Sequence, residues 1–173
     1  MLDYLQGTIP KFNHRNMGAV AGTTNTMTTT VASECSLRGK FTTALAVLTN
    51  SATTPTLDAN TGVAFVPIVS TSADGGQACC YVFGVNNAGT LVAAQGASTP
   101  TELGVTTTVG RFLLAPQFPP IPNDFCPFAY TVVRTSPTGN TFTFGTTNWT
   151  ASGITCSVFR NISQLPDRPQ IGV

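Results

Sequence analysis

Ala78-Cys79-Cys80-Tyr81-Val82-Phe83-Gly84-Val85, then Asn86-Asn87-Ala88-Gly89, then Thr90-Leu91-Val92-Ala93-Ala94 reads as two strands joined by a turn. Aromatic and β-branched residues fit a pleated, half-buried surface. Asn and Gly between the two runs supply the dihedrals a tight turn needs. Just upstream, Ser72-Ala73-Asp74-Gly75-Gly76 is a second turn, and its Asp-Gly pair is a strong hairpin signal. In a strand, the adjacent Cys79 and Cys80 point to opposite faces.

Working outward, the same grammar repeats. Lys40 to Leu48 alternates, with Leu45 and Val47 on one face and Ala44, Ala46 and Leu48 on the other, so both faces are expected to be buried. Val63 to Val69 is a strand in which Pro67 marks an edge or a bulge. Thr106 to Leu114 and Phe128 to Thr135 follow, the latter with Phe128, Tyr130 and Val132 on one face. A short Thr141–Phe144 element and Gly153 to Ile162 complete the set. Turn signals recur at short intervals and no helical period appears, apart from one candidate short helical turn at Asn148–Ser152. The predicted fold is all-β: an antiparallel β-sandwich, jelly-roll or Ig-like, over residues 31–173. Pro166 and Pro169 predict an extended C-terminal tail. Residues 1–30 show no hydrophobic period and include the run Gly22-Thr23-Thr24-Asn25-Thr26-Met27-Thr28-Thr29-Thr30, which predicts an extended N-terminal arm.

Eight basic and seven acidic residues in 173, with His14 alone of its kind, make this chain poor in charge. Thirty threonines carry the polar character instead. A net charge of +1 gives no electrostatic footprint for nucleic acid or anionic lipid. A free domain with so little charge tends to associate. Tyr4, Leu5, Ile9 and Phe12, with Arg15, give the arm more apolar character than a solvated tail needs, and they are the candidate partner contacts. The start lacks the basic and apolar regions of a secretory signal, so synthesis in the cytoplasm is expected. The five cysteines form no CxxC pair, which argues for buried free thiols over a zinc site, with disulfides between subunits as the sharper alternative.

Catalytic chemistry finds little to work with. His14 has no carboxylate or cysteine cluster around it in sequence. Asp58 and Asp74 sit in turns, where Asp caps backbone N–H groups. Asn148-Trp149-Thr150 and Asn161-Ile162-Ser163 match the N-glycosylation pattern, which without a secretory signal is expected to be fortuitous. Trp149, with Phe142 and Phe144, could form a sugar-stacking platform; packing in a core or interface is the competing reading. No catalytic residue, cofactor or metal is expected.

The last third carries a wider pattern: Phe118-Pro119-Pro120-Ile121-Pro122, Pro127-Phe128-Ala129-Tyr130-Thr131-Val132-Val133, Thr141-Phe142-Thr143-Phe144-Gly145-Thr146-Thr147-Asn148, Ala151-Ser152-Gly153-Ile154-Thr155 and Leu165-Pro166-Asp167-Arg168-Pro169. It resembles the C-terminal part of β-rich virion accessory proteins of tailed bacteriophages, with Trp149 standing where those proteins usually carry Leu or Ile. Tyr81 to Leu91, with Gln95-Gly96, is similar to the preceding part, so the resemblance spans about residues 60–170. It implies a structural virion protein with no catalytic residues. The expected function is a capsid decoration or cement protein on the capsid surface, a homotrimer whose partner is the major capsid protein. The alternative is a tail fibre or baseplate module that binds host glycans through Trp149, Phe142 and Phe144.

Overall fold

A computed structural model describes residues 11–37, 40–42, 45–49, 55–71, 75–102, 111–137, 139–166 and 168–169. Tyr4, Leu5, Ile9, Asp74 and the greater part of the strand expected from Thr106 lie outside the described residues. Within them the fold is all-β and antiparallel in its sheets, with no helix. The strands are β1 (Phe12–Asn13), β2 (Val20–Ala21), β3 (Met27–Thr28), β4 (Cys35–Leu37), β5 (Lys40–Thr42), β6 (Ile68–Val69), β7 (Gln77–Asn86), β8 (Leu91–Gln95), β9 (Thr99–Pro100), β10 (Phe125–Thr135), β11 (Thr141–Phe142), β12 (Ile154–Cys156) and β13 (Arg160–Asn161).

The two long strands, β7 and β10, pair antiparallel at the centre of one sheet, from Phe125↔Asn86 to Arg134↔Ala78. β8 and β9 flank β7, and β12 and β13 flank β10. The hairpin expected from Asn86 to Gly89 is the β7–β8 turn; the Asn86 side chain accepts from Ala88 N–H and Thr90 N–H, and Gly89 takes φ 74°. Smaller sheets, β1-β4-β5, β2-β3 and β6-β11, contribute to the core on one face.

Period-2 alternation divides the core into two layers. Cys79, Tyr81, Phe83 and Val85 face the first, with Met17, Met27, Leu37, Ile68, Phe142 and Trp149. Cys80 and Val82 face the second, with Phe125, Tyr130, Val132 and the partly buried Phe118 and Ile121 of the proline-rich loop. The adjacent cysteines therefore do point to opposite faces. Both faces of the central strands being covered explains their near-continuous apolar character.

Phe128 departs from the expectation. The register slips between Pro127 and Ala129, and the extra residue of this bulge puts Phe128 beside Ala129 in the first layer, while Tyr130 and Val132 face the second. Pro127 has no N–H to give the ladder, which suits it to such an irregularity. Gly84 shows the opposite constraint: a Cβ there would overlap the Phe125 ring and stand 2.7 Å from the Cys126 carbonyl oxygen. The bare backbone is the seat for that ring.

The expected arm is corrected over residues 11–30, which belong to the folded body. Met17 and Ala19 are fully buried and Met27 nearly so. Polar ties hold the segment where periodicity is absent. The Asn161 amide accepts from Ala19 N–H at 2.6 Å and donates to Ala19 C=O at 3.0 Å, mimicking a strand pair. Asn13 N–H donates to Ser163 C=O at 2.9 Å, and the Asn25 amide donates to Gly145 C=O. Three lesser expectations also change. Leu45 is buried but Ala46 and Val47 are exposed, so neither expected face of the Lys40–Leu48 run is buried throughout. Asn148–Ser152 forms turns rather than a helical turn, and Pro169 is buried, so the C-terminal segment stays against the body at that point.

Candidate interaction surface

The sheet β1-β4-β5 presents two different faces. Strand alternation turns Asn13, Cys35 and Leu37 inward, all buried. The outer row consists of Phe12, Ser36 and Phe41, which lie side by side through the pairs Phe12↔Ser36 and Ser36↔Phe41. Phe12 is 38% exposed and Phe41 55%. His14 sits between the two rings, its ring centroid 5.0 Å from that of Phe12 and 5.5 Å from that of Phe41. A hydrogen bond of 2.6 Å joins His14 Nε2 and Ser36 Oγ. Beside them Arg15 donates to Glu34 at 2.9 Å, an exposed pair. The result is three exposed rings, two of them wholly apolar, beside one exposed ion pair.

β1 is fixed from both sides. His14 N–H donates to Glu34 C=O, and the Lys11 ammonium reaches the carbonyls of Ile121 and Pro122 in the loop before β10. Of the five residues predicted as partner contacts, Phe12 and Arg15 are thus placed on one surface. Sequence reasoning missed Phe41 and Ser36; only the β4–β5 register brings them beside Phe12.

Ser36 and His14 have the separation of a nucleophile and its base. The other ring nitrogen of His14 has no hydrogen-bond partner among the described residues. No cluster of three or more His, Cys, Asp or Glu side chains able to hold a metal occurs among the described residues. Asp58 acts as its turn context predicted, accepting from Asn60 N–H, the Thr61 hydroxyl and Gln95 N–H.

The predicted glycan platform is not a surface. Trp149 is 2% exposed, and Phe142 and Phe144 are buried with it. The Trp149 ring lies 5.5 Å from those of Phe142 and Phe159 and 5.8 Å from that of Phe144, and its Nε1–H donates to Thr26 C=O at 2.8 Å. Seven rings, from Phe65, Tyr81, Phe83, Phe142, Phe144, Trp149 and Phe159, interlock in the first layer. Aromatic rings dominate core energetics, so the tryptophan serves packing here and is nearly closed off from solvent.

A second uncharged surface lies between β2 and β12. It is a trough of about 470 Å³ lined by Val20, Trp149, Ile154, Val158 and Phe159 among others, with Val158 75% exposed at its rim.

All five cysteines are free thiols, four of them buried. Burial pushes Cys79 up to about 12 and Cys156 to about 11, and raises Cys80 as well. Arg134, under the Phe112 ring at 5.0 Å, is lowered by burial. No protein-family model, curated protein or solved structure matches this chain.

Proposed function

We propose that this chain is a structural virion subunit of a tailed phage, a capsid decoration or cement protein built as a β-sandwich with the small sheets as its second layer. The observation that carries the reading is the exposed Phe12–Ser36–Phe41 row with His14 between the rings. Rigid, amphipathic rings at low charge density are what an interface anchor uses. The site offers a partner apolar contact and few charges, which fits burial between neighbours and suits neither nucleic acid nor a membrane surface. On this reading residues 1–10, through Tyr4, Leu5 and Ile9, extend the same contact onto the major capsid protein, with Phe12 and Arg15 at its base. The uncharged trough at Val158 serves contact between copies in a homotrimer on the capsid surface.

The fold dictates the truncation. Removing residues 1–20 would take away buried Met17 and Ala19, so the informative variant lacks residues 1–10 and carries Phe12→Ser and Phe41→Ser. Binding to the phage's own empty capsids, measured by co-sedimentation, is expected to fall at least tenfold while circular dichroism stays unchanged. Unchanged binding by a folded variant refutes the reading.

A further inference from the structure

β2 and β12 border the trough as two strand edges with unused backbone groups. Ser157 N–H donates to Val132 C=O and Ser136 N–H to Gly153 C=O, each at 2.8 Å, so Gly153, Thr155 and Ser157 turn their backbone groups toward β10. Antiparallel alternation then turns those of Ile154 and Cys156 outward. Ile154 N–H donates to Ala151 C=O at 3.0 Å. Ile154 C=O and the N–H and C=O of Cys156 have no hydrogen-bond partner among the described residues. The same count holds on β2. Gly22 N–H donates to Thr26 C=O at 2.8 Å, so Val20 and Gly22 face β3 while Ala19 and Ala21 face away from it. At Ala19 that outward edge is filled by the Asn161 amide of β13, in the manner of a strand. At Ala21, which lines the trough, the N–H and C=O have no such partner among the described residues. Trp149 and Phe159 form the floor, and no charged side chain lines the trough.

We propose that the trough is a strand-acceptor slot, filled by an extended, uncharged segment of a second copy of this chain. The inference rests on the reading that the trough serves contact between copies, and it names how that contact is made. Free N–H and C=O groups along an edge are matched by the backbone of an added strand, so the ligand recognised is a peptide. β12 is three residues long, about 10 Å at ~3.3 Å per residue, so the slot takes a short stretch. Charge singles out the source. A charged strand would lose hydration against this lining and gain no partner for its charge. A chain with eight basic and seven acidic residues in 173 supplies neutral stretches throughout, and so little charge favours association with itself. The entering strand lays its inward side chains over the Trp149 and Phe159 rings and covers Val158, the most exposed large apolar side chain among the described residues. β2 walls the far side, so one strand fills the slot and addition stops there. Donor and acceptor surfaces differ, so the contact is head-to-tail, the kind that builds a closed ring such as a trimer.

The test is to follow the intact chain at low and high micromolar concentration by sedimentation velocity, and by amide hydrogen exchange read residue by residue by NMR. Association is expected to grow with concentration. Exchange at Cys156 N–H and Ala21 N–H should slow at least tenfold at the higher concentration, because both donors become paired. Val158→Lys, at an exposed position outside the core, should abolish association and protection together. A chain that stays single at the higher concentration overturns the proposal. Association that leaves both amides exchanging at an unchanged rate overturns the slot alone, since copies then meet on another surface. Protection of both amides that does not depend on concentration also overturns it, since the slot is then closed within one copy. Capsid binding is measured separately by co-sedimentation, so the decoration role and the slot can fail independently.

Discussion

Replacing Trp149 by Phe separates a packing role from a recognition role. The substitution keeps one ring in the aromatic cluster and removes the rest of the indole. Truncating a buried Trp to Ala costs about 3–5 kcal/mol, so losing part of the ring should cost about 1–2. The indole N–H bond to Thr26 C=O at 2.8 Å is also lost. That carbonyl belongs to the segment before β3 and keeps its bond from Gly22 N–H at 2.8 Å, so losing the indole donor adds about 0.5–1.5 kcal/mol. The sum is about 1.5–3.5 kcal/mol, or a fall of about 0.8–1.8 M in the urea midpoint for a slope near 2 kcal/mol per M. Circular dichroism reads the transition in both proteins. In the wild type, Trp149 is the single tryptophan, so its fluorescence reports this site alone. Acrylamide should quench the native emission far less than that of the unfolded chain. A midpoint shift worth under about 0.5 kcal/mol, or native quenching equal to that of the unfolded chain, refutes the argument that this ring is core.

Gly84→Ala should destabilise by about 1–3 kcal/mol in urea titration, because its Cβ would overlap the Phe125 ring and crowd the Cys126 carbonyl. Asn161→Ala removes both amide bonds to Ala19 and should cost about 1–3 kcal/mol by the same measurement, with early hydrogen exchange at Ala19 N–H. A double-mutant cycle on Arg15→Gln and Glu34→Gln should give a coupling of under about 1 kcal/mol that fades with salt, since both side chains are exposed. Stability should fall as pH rises from 9 toward 11, because Cys79, raised to about 12, and Cys156, raised to about 11, keep their protons when folded. The unfolded thiols release theirs above the ordinary value of 9.0, so unfolding there sheds protons and higher pH favours it. Cys79→Ala with Cys156→Ala should make that slope shallower in pH-dependent urea titrations, the remainder coming from Cys80 and Cys126, whose thiols are also raised.

The sheet centre was legible because β7 and β10 repeat apolar residues too densely for a solvated strand, and the Asn-rich turn fixes the β7–β8 pairing. Phe128 was assigned to the wrong face because a bulge adds one residue to the count, and a period-2 reading cannot register that. Residues 11–30 escaped for a different reason. They are held by amide side chains of Asn13, Asn25 and Asn161 and by isolated buried methionines, none of which has a period. The interaction surface was half visible. Phe12 stands out as an aromatic in a polar stretch, but its alignment with Phe41 depends on pairing register across three strands, and no local spacing encodes that. Trp149 looked available because composition cannot tell a ring buried by distant strands from one left on the surface.

The large sheet ends on each side in two short strands set end to end: β12 and β13 beside β10, β8 and β9 beside β7. The chain leaves the sheet between each pair, at Ser157–Phe159 and at Gly96–Ser98, and Phe159 turns into the core there. An approaching strand from another molecule therefore finds an interrupted ladder, three residues long beside Ile154–Cys156, while beside Leu91–Gln95 the edge is already occupied by Ala59 N–H at the Ala93 carbonyl and by the Asp58 carboxylate at Gln95 N–H. Many proteins guard such edges with lysine or glutamate. A chain this poor in charge has an interrupted backbone that can do the same work, leaving Arg160 as the single charged residue of the four flanking strands without making them a template for fibrous stacking.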